Sequence, residues 1–249
     1  MIRALLLLSA LLLSAAGAWA DKATVAVASN FKPAMDALKE RFEAETDHKL
    51  TVIYGSTGKL YSQISLGAPY DVYLAADQKR PARLAENGSA VKGTRFTYAS
   101  GQLVLWAPHL DIAGPETVEA GQFRFLAIAN PELAPYGLAA QQVLARLGLE
   151  TDLTSKLAMG ENIGQAFAFV KTGNADLGLI AQSQLLLLDK AAQRNVWHPP
   201  TDFYDPIRQD GVLLTRAVDN PAAQAFLTFL KSDTGQDIIT RHGYGRGAS

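Results

Sequence analysis

The chain contains no cysteine among its 249 residues. That absence excludes disulfides and thiolate metal centres. It also excludes a lipid anchor, which needs a cysteine at the cleavage point of an exported chain. Histidine is scarce. His48, His109, His198 and His242 stand far apart, and none sits at metal-ligand spacing on one element. No Gly-x-Ser-x-Gly nucleophile elbow occurs, and the carboxylates are scattered as surface charge. Lys and Arg total 23 against 24 Asp and Glu, with no long basic run. Nucleic acid and anionic membrane are therefore not the expected partners. Aromatic residues make up only 8% and are dispersed, which argues against a base-stacking surface.

Long apolar runs are absent after the first twenty residues. Those twenty read MIRALLLLSALLLSAAGAWA. Arg3 gives a positive start, Leu5 to Leu13 a short apolar run, and Ala18-Trp19-Ala20 a small-x-small cleavage pattern. The run is shorter than the ~20 residues of a spanning helix. The sequence thus predicts a signal peptide over residues 1–20, cleavage after Ala20, and a soluble exported chain starting at Asp21.

The remaining chain alternates apolar runs with amphipathic segments. Strands are predicted at Ala23–Ala28, Leu50–Tyr54 and Val72–Ala75, with helices at Lys32–Thr46 and Gly58–Leu66 between them. The pattern restarts with strands at Leu103–Ala107, Leu126–Ala129 and Leu177–Ile180, and helices at Leu138–Leu147 and Ile163–Thr172. A helix over Gln182–Arg194, a strand at Val212–Thr215 and helices at Ala222–Lys231 and Thr234–Arg241 complete the reading. The expected fold class is α/β, with two Rossmann-like lobes of mixed sheet joined by a two-crossing hinge. Lobe 1 is expected to hold residues 21–101 plus 214–249, and lobe 2 residues 102–213. A cleft between two such halves is a common ligand site.

Four strand-to-helix junctions carry small or polar residues. A helix start has unpaired N–H groups and a partial positive charge, so it suits an anion. Ser29 and Asn30 follow the first strand; read alone, either is an ordinary N-cap. Gly55-Ser56-Thr57-Gly58-Lys59 resembles a phosphate loop but lacks its glycine spacing and the hydroxyl residue after lysine, so nucleotide binding is not supported. Its amides and two hydroxyls suit a smaller anion equally well as they suit a plain turn. Tyr136-Gly137 opens a helix after two prolines, and its phenol suits either a ligand or packing between lobes. Asn162-Ile163-Gly164 opens another, where Asn162 is a cap and Ile163 has only its backbone N–H to offer.

Taken in order, VAVASNFKPAMDAL, YGSTGKLYSQISLGAPYDVYLAADQKRPARL, GQLVLWAP, ANPELAPYGLAAQQVL, ENIGQAFAFVKTGNADLGLI and AFLTFLKSDTGQDIITRHGYG resemble the molybdate-binding proteins of ABC importers, within the type II periplasmic binding proteins. The resemblance spans essentially the whole chain beyond residue 20. It implies a periplasmic, monomeric binding protein and not an enzyme. It also implies no cofactor, molybdate or tungstate as ligand, and a membrane permease with its ATPase as partners. The implied anion site comprises Ser29, Asn30, Ser56, Thr57, Tyr136 and Ile163, with molybdenum bound as its oxyanion and no protein atom on the metal. Some members carry a tyrosine in the strand after the fourth junction; here that position is Ala181, which implies that Tyr136 supplies the phenol. An exported hydrolase would need a nucleophile–base pair, and a receptor for chelated iron would need exposed tyrosinates. Tyr204 and Tyr244 read as surface or packing residues. Whether Lys59 or Gln182 reaches the cleft stays open.

Overall fold

The computed structural model describes residues 21–111 and 114–247. The expected signal peptide over residues 1–20 and its cleavage point lie outside the described residues.

Two mixed sheets organise the chain. The first is built on β1 (Lys22–Ala28), β2 (Lys49–Gly55) and β3 (Val72–Leu74). β1 lies between β2 and β3 and runs parallel to both. Its Val and Ala side chains are buried, as a central parallel strand requires. α1 (Lys32–Glu45) and α2 (Thr57–Ser65) are the crossovers. α3 (Lys79–Glu86) follows β3 and leads to β4 (Phe96–Gly101).

The chain then passes at Gln102 into the second sheet. β5 (Leu103–Trp106), α4 (Glu116–Glu119), β6 (Leu126–Ala129), α5 (Pro135–Arg146), β7 (Leu157–Gly160), α6 (Ile163–Lys171), β8 (Leu177–Ala181), α7 (Gln182–Leu185) and β9 (Val196–Trp197) build it. Its order is β7-β6-β8-β5-β9, with β6 parallel to β7 and β8, and β5 antiparallel to its neighbours. The chain returns through β10 (Ile207–Leu213), α8 (Pro221–Lys231), α9 (Asp233–Arg241) and β11 (Gly245–Arg246), completing a first sheet of order β11-β4-β10-β3-β1-β2.

The halves share a plan that no sequence repeat betrays. Each has three parallel strands in the order second-first-third, then an antiparallel strand that enters at a crossing. The starts of α1 and α2 follow the first and second strands of one half. The starts of α5 and α6 follow the equivalent strands of the other. All four lie at strand carboxyl ends, the usual ligand edge of open α/β sheets.

Two expectations need correction. The return to lobe 1 was placed after Leu213, with a strand at Val212–Thr215. Instead, β10 starts at Ile207 and pairs antiparallel with β3 and β4, so the crossing precedes Ile207. The segment Arg208-Gln209-Asp210-Gly211 reads as a polar loop, yet Gln209 and Asp210 are buried. Asp210 accepts from Thr97 and Arg95, which offsets its desolvation. The helix expected over Gln182–Arg194 ends at Leu185. The rest is a series of turns, in which the carbonyl of Ala192 accepts from the buried indole of Trp106 at 2.9 Å. The reading also omitted α3 and β4.

The two crossings are tied together by the amide of Leu103, which donates to the phenol of Tyr204 at 3.2 Å, and the first crossing is held by the amide of Gln182, which donates to the carbonyl of Gln102 at 3.0 Å. No helix among the described residues is long and apolar enough to cross a membrane.

Candidate functional site

The four helix starts converge. Ser29, Asn30, Ser56, Thr57, Tyr136 and Ile163 line one cavity between the halves, together with Ala28, Gly55, Ala76, Ala134, Pro135 and Asn162. The cavity is small, about 10 Å³ by the centre of a water-sized sphere. That excludes a peptide or a sugar chain. No lining residue is charged. Among the described residues there is no group of three or more His, Asp or Glu fit to hold a metal ion.

Hydrogen bonding within each junction decides which amides face the cavity. At α6, the side chain of Asn162 accepts from the amides of Gly164 and Gln165 at 2.9 and 3.1 Å. The first amide, of Ile163, is left without a protein acceptor among the described residues. At α2, Ser56 accepts from the amide of Lys59, and the amide of Gly58 donates to the carbonyl of Leu133 at 2.8 Å. The amide of Thr57 remains. At α5, Pro135 has no N–H, and the amides of Gly137 and Leu138 both turn back to the carbonyl of Ala134. The amide of Tyr136 remains. Each cap thus removes the rear donors and presents a front one, at the positive end of a helix dipole.

The hydroxyls are polarised the same way. Thr57 Oγ1 accepts from the amide of Ala76 at 3.2 Å, so its proton is free to donate. The carbonyl of Thr57 is held by the phenol of Tyr73 at 2.7 Å. The phenol oxygen of Tyr136 accepts from Gln209 Nε2 at 3.4 Å. Burial pushes the Tyr136 phenol well above its ordinary pKa, outweighing the opposing hydrogen bond from Gln209. It is therefore a neutral donor throughout the physiological range.

Asn30 lines the cavity but commits its side-chain nitrogen elsewhere. Nδ2 donates to Gln209 Oε1 at 2.9 Å and to the Tyr244 phenol at 3.1 Å. Its backbone remains at the α1 junction. Tyr244, in turn, donates to the carbonyl of Asn30 at 2.6 Å and so is a packing residue of this network. Sequence reasoning missed the residues behind the lining: Gln209, Tyr98, Gly101, and Ser183, whose hydroxyl lies 2.9 Å from the Tyr244 phenol. Gly101 is the sharpest omission. A Cβ there would stand 2.0 Å from the Tyr136 hydroxyl, so only glycine lets the phenol reach the cavity.

Ion pairs are confined to the rim. Lys59 pairs with Glu161 across the cleft at 3.0 Å, with both side chains exposed. Arg80 pairs with Asp77 and donates from Nη2 to the carbonyl of Glu132 at 2.8 Å. Beside them, a Cβ on Gly58 would stand 3.1 Å from the Leu133 backbone, so glycine permits the close backbone approach. Lys59 therefore reaches the cleft mouth and not the cavity. Ala181 and Gln182 do not line the cavity.

Comparison with known proteins follows the same lines. Residues 23–245 match the family described as bacterial extracellular solute-binding protein. The chain is 47% identical to the molybdate-binding protein ModA of Azotobacter vinelandii, over 94% of this chain and 93% of that protein. It is 40% identical to the molybdate-binding protein ModA of Rhodobacter capsulatus, over 90% and 88%. The solved structure of the Azotobacter vinelandii periplasmic molybdate-binding protein superposes with a TM-score of 0.83, at 38% identity, covering 90% of this chain and 98% of that one. The sulfate-binding protein SubI of Mycobacterium tuberculosis, at 14% identity and a TM-score of 0.75, shares the fold, covering 91% of this chain and 87% of that one.

Proposed function

The chain belongs to the bacterial extracellular solute-binding proteins and, within them, to the periplasmic molybdate-binding family of ABC importers, and we propose that it captures molybdate in the periplasm and delivers it to a membrane permease. The family consists of transport binding proteins and not enzymes. The observation that carries the ligand assignment is the uncharged cavity at four helix starts, with Thr57, Tyr136 and Ile163 each offering an uncommitted amide.

A tetrahedral dianion fits this chemistry. Its charge is spread over four oxygens, and each is met by neutral donors at converging helix starts. Oriented dipoles in a water-poor cleft stabilise such an anion without a fixed countercharge. Each hydrogen bond to a charged oxygen contributes roughly 1.5–3 kcal/mol net. Ser29, Asn30, Ser56, Thr57, Tyr136 and Ile163 are the proposed ligand residues, Asn30 through its backbone, with Ser56 chiefly shaping the α2 start. About seven bonds in all suffice for sub-micromolar binding after the cost of ordering the cleft.

Selectivity follows from size and proton count. Sulfate is smaller than molybdate and makes longer contacts; tungstate nearly matches molybdate and binds comparably. Phosphate near neutral pH still carries a proton. The cavity lining holds no carboxylate to accept that proton, and its front groups are donors, so a protonated oxyanion is matched less well. The proposal extends to a monomer freed by cleavage after Ala20 and to a partner permease powered by an ATPase. Calorimetric titration of the purified protein with molybdate, tungstate, sulfate and phosphate tests it. The expected order is molybdate and tungstate tight, sulfate weaker, phosphate weakest. Sulfate binding as tightly as molybdate would refute the size argument.

A further inference from the structure

The Tyr136 phenol has one proton and several neighbours, so its direction must be set by something. Gln209 sits fully buried on β10, opposite Ala99, where a register shift in the β4–β10 pairing leaves Tyr98 as the extra residue of β4. Such irregularities re-aim side chains beside functional sites. Gln209 Oε1 accepts from Asn30 Nδ2 at 2.9 Å, while the Tyr98 phenol shares its single proton between the Ala75 carbonyl at 3.0 Å and Oε1 at 3.1 Å. Its Nε2 is thereby turned to the oxygen of Tyr136 at 3.4 Å.

The polarity is anchored further back. Tyr244 gives its proton to the backbone carbonyl of Asn30 at 2.6 Å, which leaves its oxygen to accept from Asn30 Nδ2 at 3.1 Å. A backbone carbonyl can only accept. The order therefore runs one way: Tyr244 donates to a carbonyl, Asn30 donates to Tyr244 and Gln209, and Gln209 donates to Tyr136. An oxygen that receives a donor from Gln209 keeps its own proton for another partner.

We infer that Gln209 is a positioning residue that fixes the Tyr136 hydroxyl as a donor toward the bound anion. The inference rests on the reading of this cavity as the oxyanion site. Because β10 and α5 belong to different halves, Gln209 can act on Tyr136 only when the halves are closed. The same bond thus couples cleft closure to the donor state of the phenol.

A double-mutant cycle with molybdate as the probe tests this. Gln209→Met keeps the side-chain length and removes the amide. It is expected to weaken binding by about tenfold in the native background and by less than about twofold in Tyr136→Phe. An equal loss in both backgrounds overturns the relay, because Gln209 would then act elsewhere. Gln209→Glu supplies a second readout that packing alone would not move. Its carboxylate would draw the Tyr136 proton away from the anion, so binding should fall further than in Tyr136→Phe. It should recover as pH falls and the buried carboxyl is protonated. A pH-independent loss in Gln209→Glu overturns the inference. If Tyr136→Phe alone binds molybdate as tightly as the native protein, the site assignment fails and not merely the relay.

Discussion

The two halves offer the cavity the same architecture and different chemistry. The first half presents side-chain hydroxyls from Ser29, Ser56 and Thr57. The second presents Pro135, Tyr136, Asn162 and Ile163, whose forward donors are two backbone amides and one phenol. On the proposed reading, equivalent helix starts serve one ligand through hydroxyls and backbone amides on one side, and through two amides and a phenol on the other. The lesson is that a helix start supplies the donor geometry and the residue type only tunes it. A third region differs from both: the rim carries ion pairs, in solvent, where charge is cheap to keep and weak in effect.

Substitutions can break this contrast. The largest effect is expected where the halves meet. Gly101→Ala drives a methyl group into the Tyr136 hydroxyl. Molybdate affinity should fall about a hundredfold by calorimetry, with the phenol displaced or the closed cleft strained. Next come the two chemistries themselves. Thr57→Ala should cost about ten- to thirtyfold by removing a hydroxyl donor.

On the other side, Ile163→Pro should cost a similar factor by removing one amide. Proline is tolerated at a first helical position, and Asn162 already has the extended backbone (φ −145°, ψ 170°) that a following proline prefers. Ile163 is buried, so the thermal midpoint should fall by a similar amount for Ile163→Pro and Ile163→Ala, while only Ile163→Ala should bind within about twofold of the native protein. Equal losses for Ile163→Ala and Ile163→Pro would show that the side chain matters and would erase the contrast.

The rim should respond least. Lys59→Met should weaken binding only a few-fold, and that loss should vanish in high salt, since an exposed pair contributes at most about 1 kcal/mol. Between about pH 6 and 9 the native affinity should stay flat. No charged group lines the cavity, and the Tyr136 phenol, raised by burial, stays protonated throughout. An affinity changing tenfold across that window would point to a titrating group in the site.

What was legible in the sequence was local. Ser-Asn, Gly-Ser-Thr-Gly, Pro-Tyr-Gly and Asn-Ile-Gly mark helix starts within a few residues, and all four starts line the cavity. What was hidden depends on distant pairing. Asn30 reads alone as an ordinary N-cap, and nothing local shows that Gln209, 179 positions away, takes its side-chain nitrogen. Gln209 itself lies in a run that reads as a polar loop, because nothing local shows that β3 and β4 will bury it. Gly101 gives no signal either, since the phenol it accommodates arrives from the other half. The helix expected after Gln182 also stops for no local reason: the chain turns after Leu185, and the Trp106 indole holds the later turn by the carbonyl of Ala192.

The path of the chain also sets an order in time. Every strand of the second sheet lies within one continuous stretch, Leu103–Trp197. That half has all its sheet partners as soon as the stretch is available. The first half does not. Its β3 and β4 cannot share a sheet until β10 comes to lie between them, more than a hundred residues after β4 was laid down. Closing so long a loop is entropically costly and slows assembly. The second half is therefore expected to fold first, with the first sheet completed only when the segment that carries Gln209 arrives. β10, which joins β3 to β4, also brings Gln209, so the first sheet becomes continuous and gains the proposed positioning residue in one step, before β11 adds to the β4 edge.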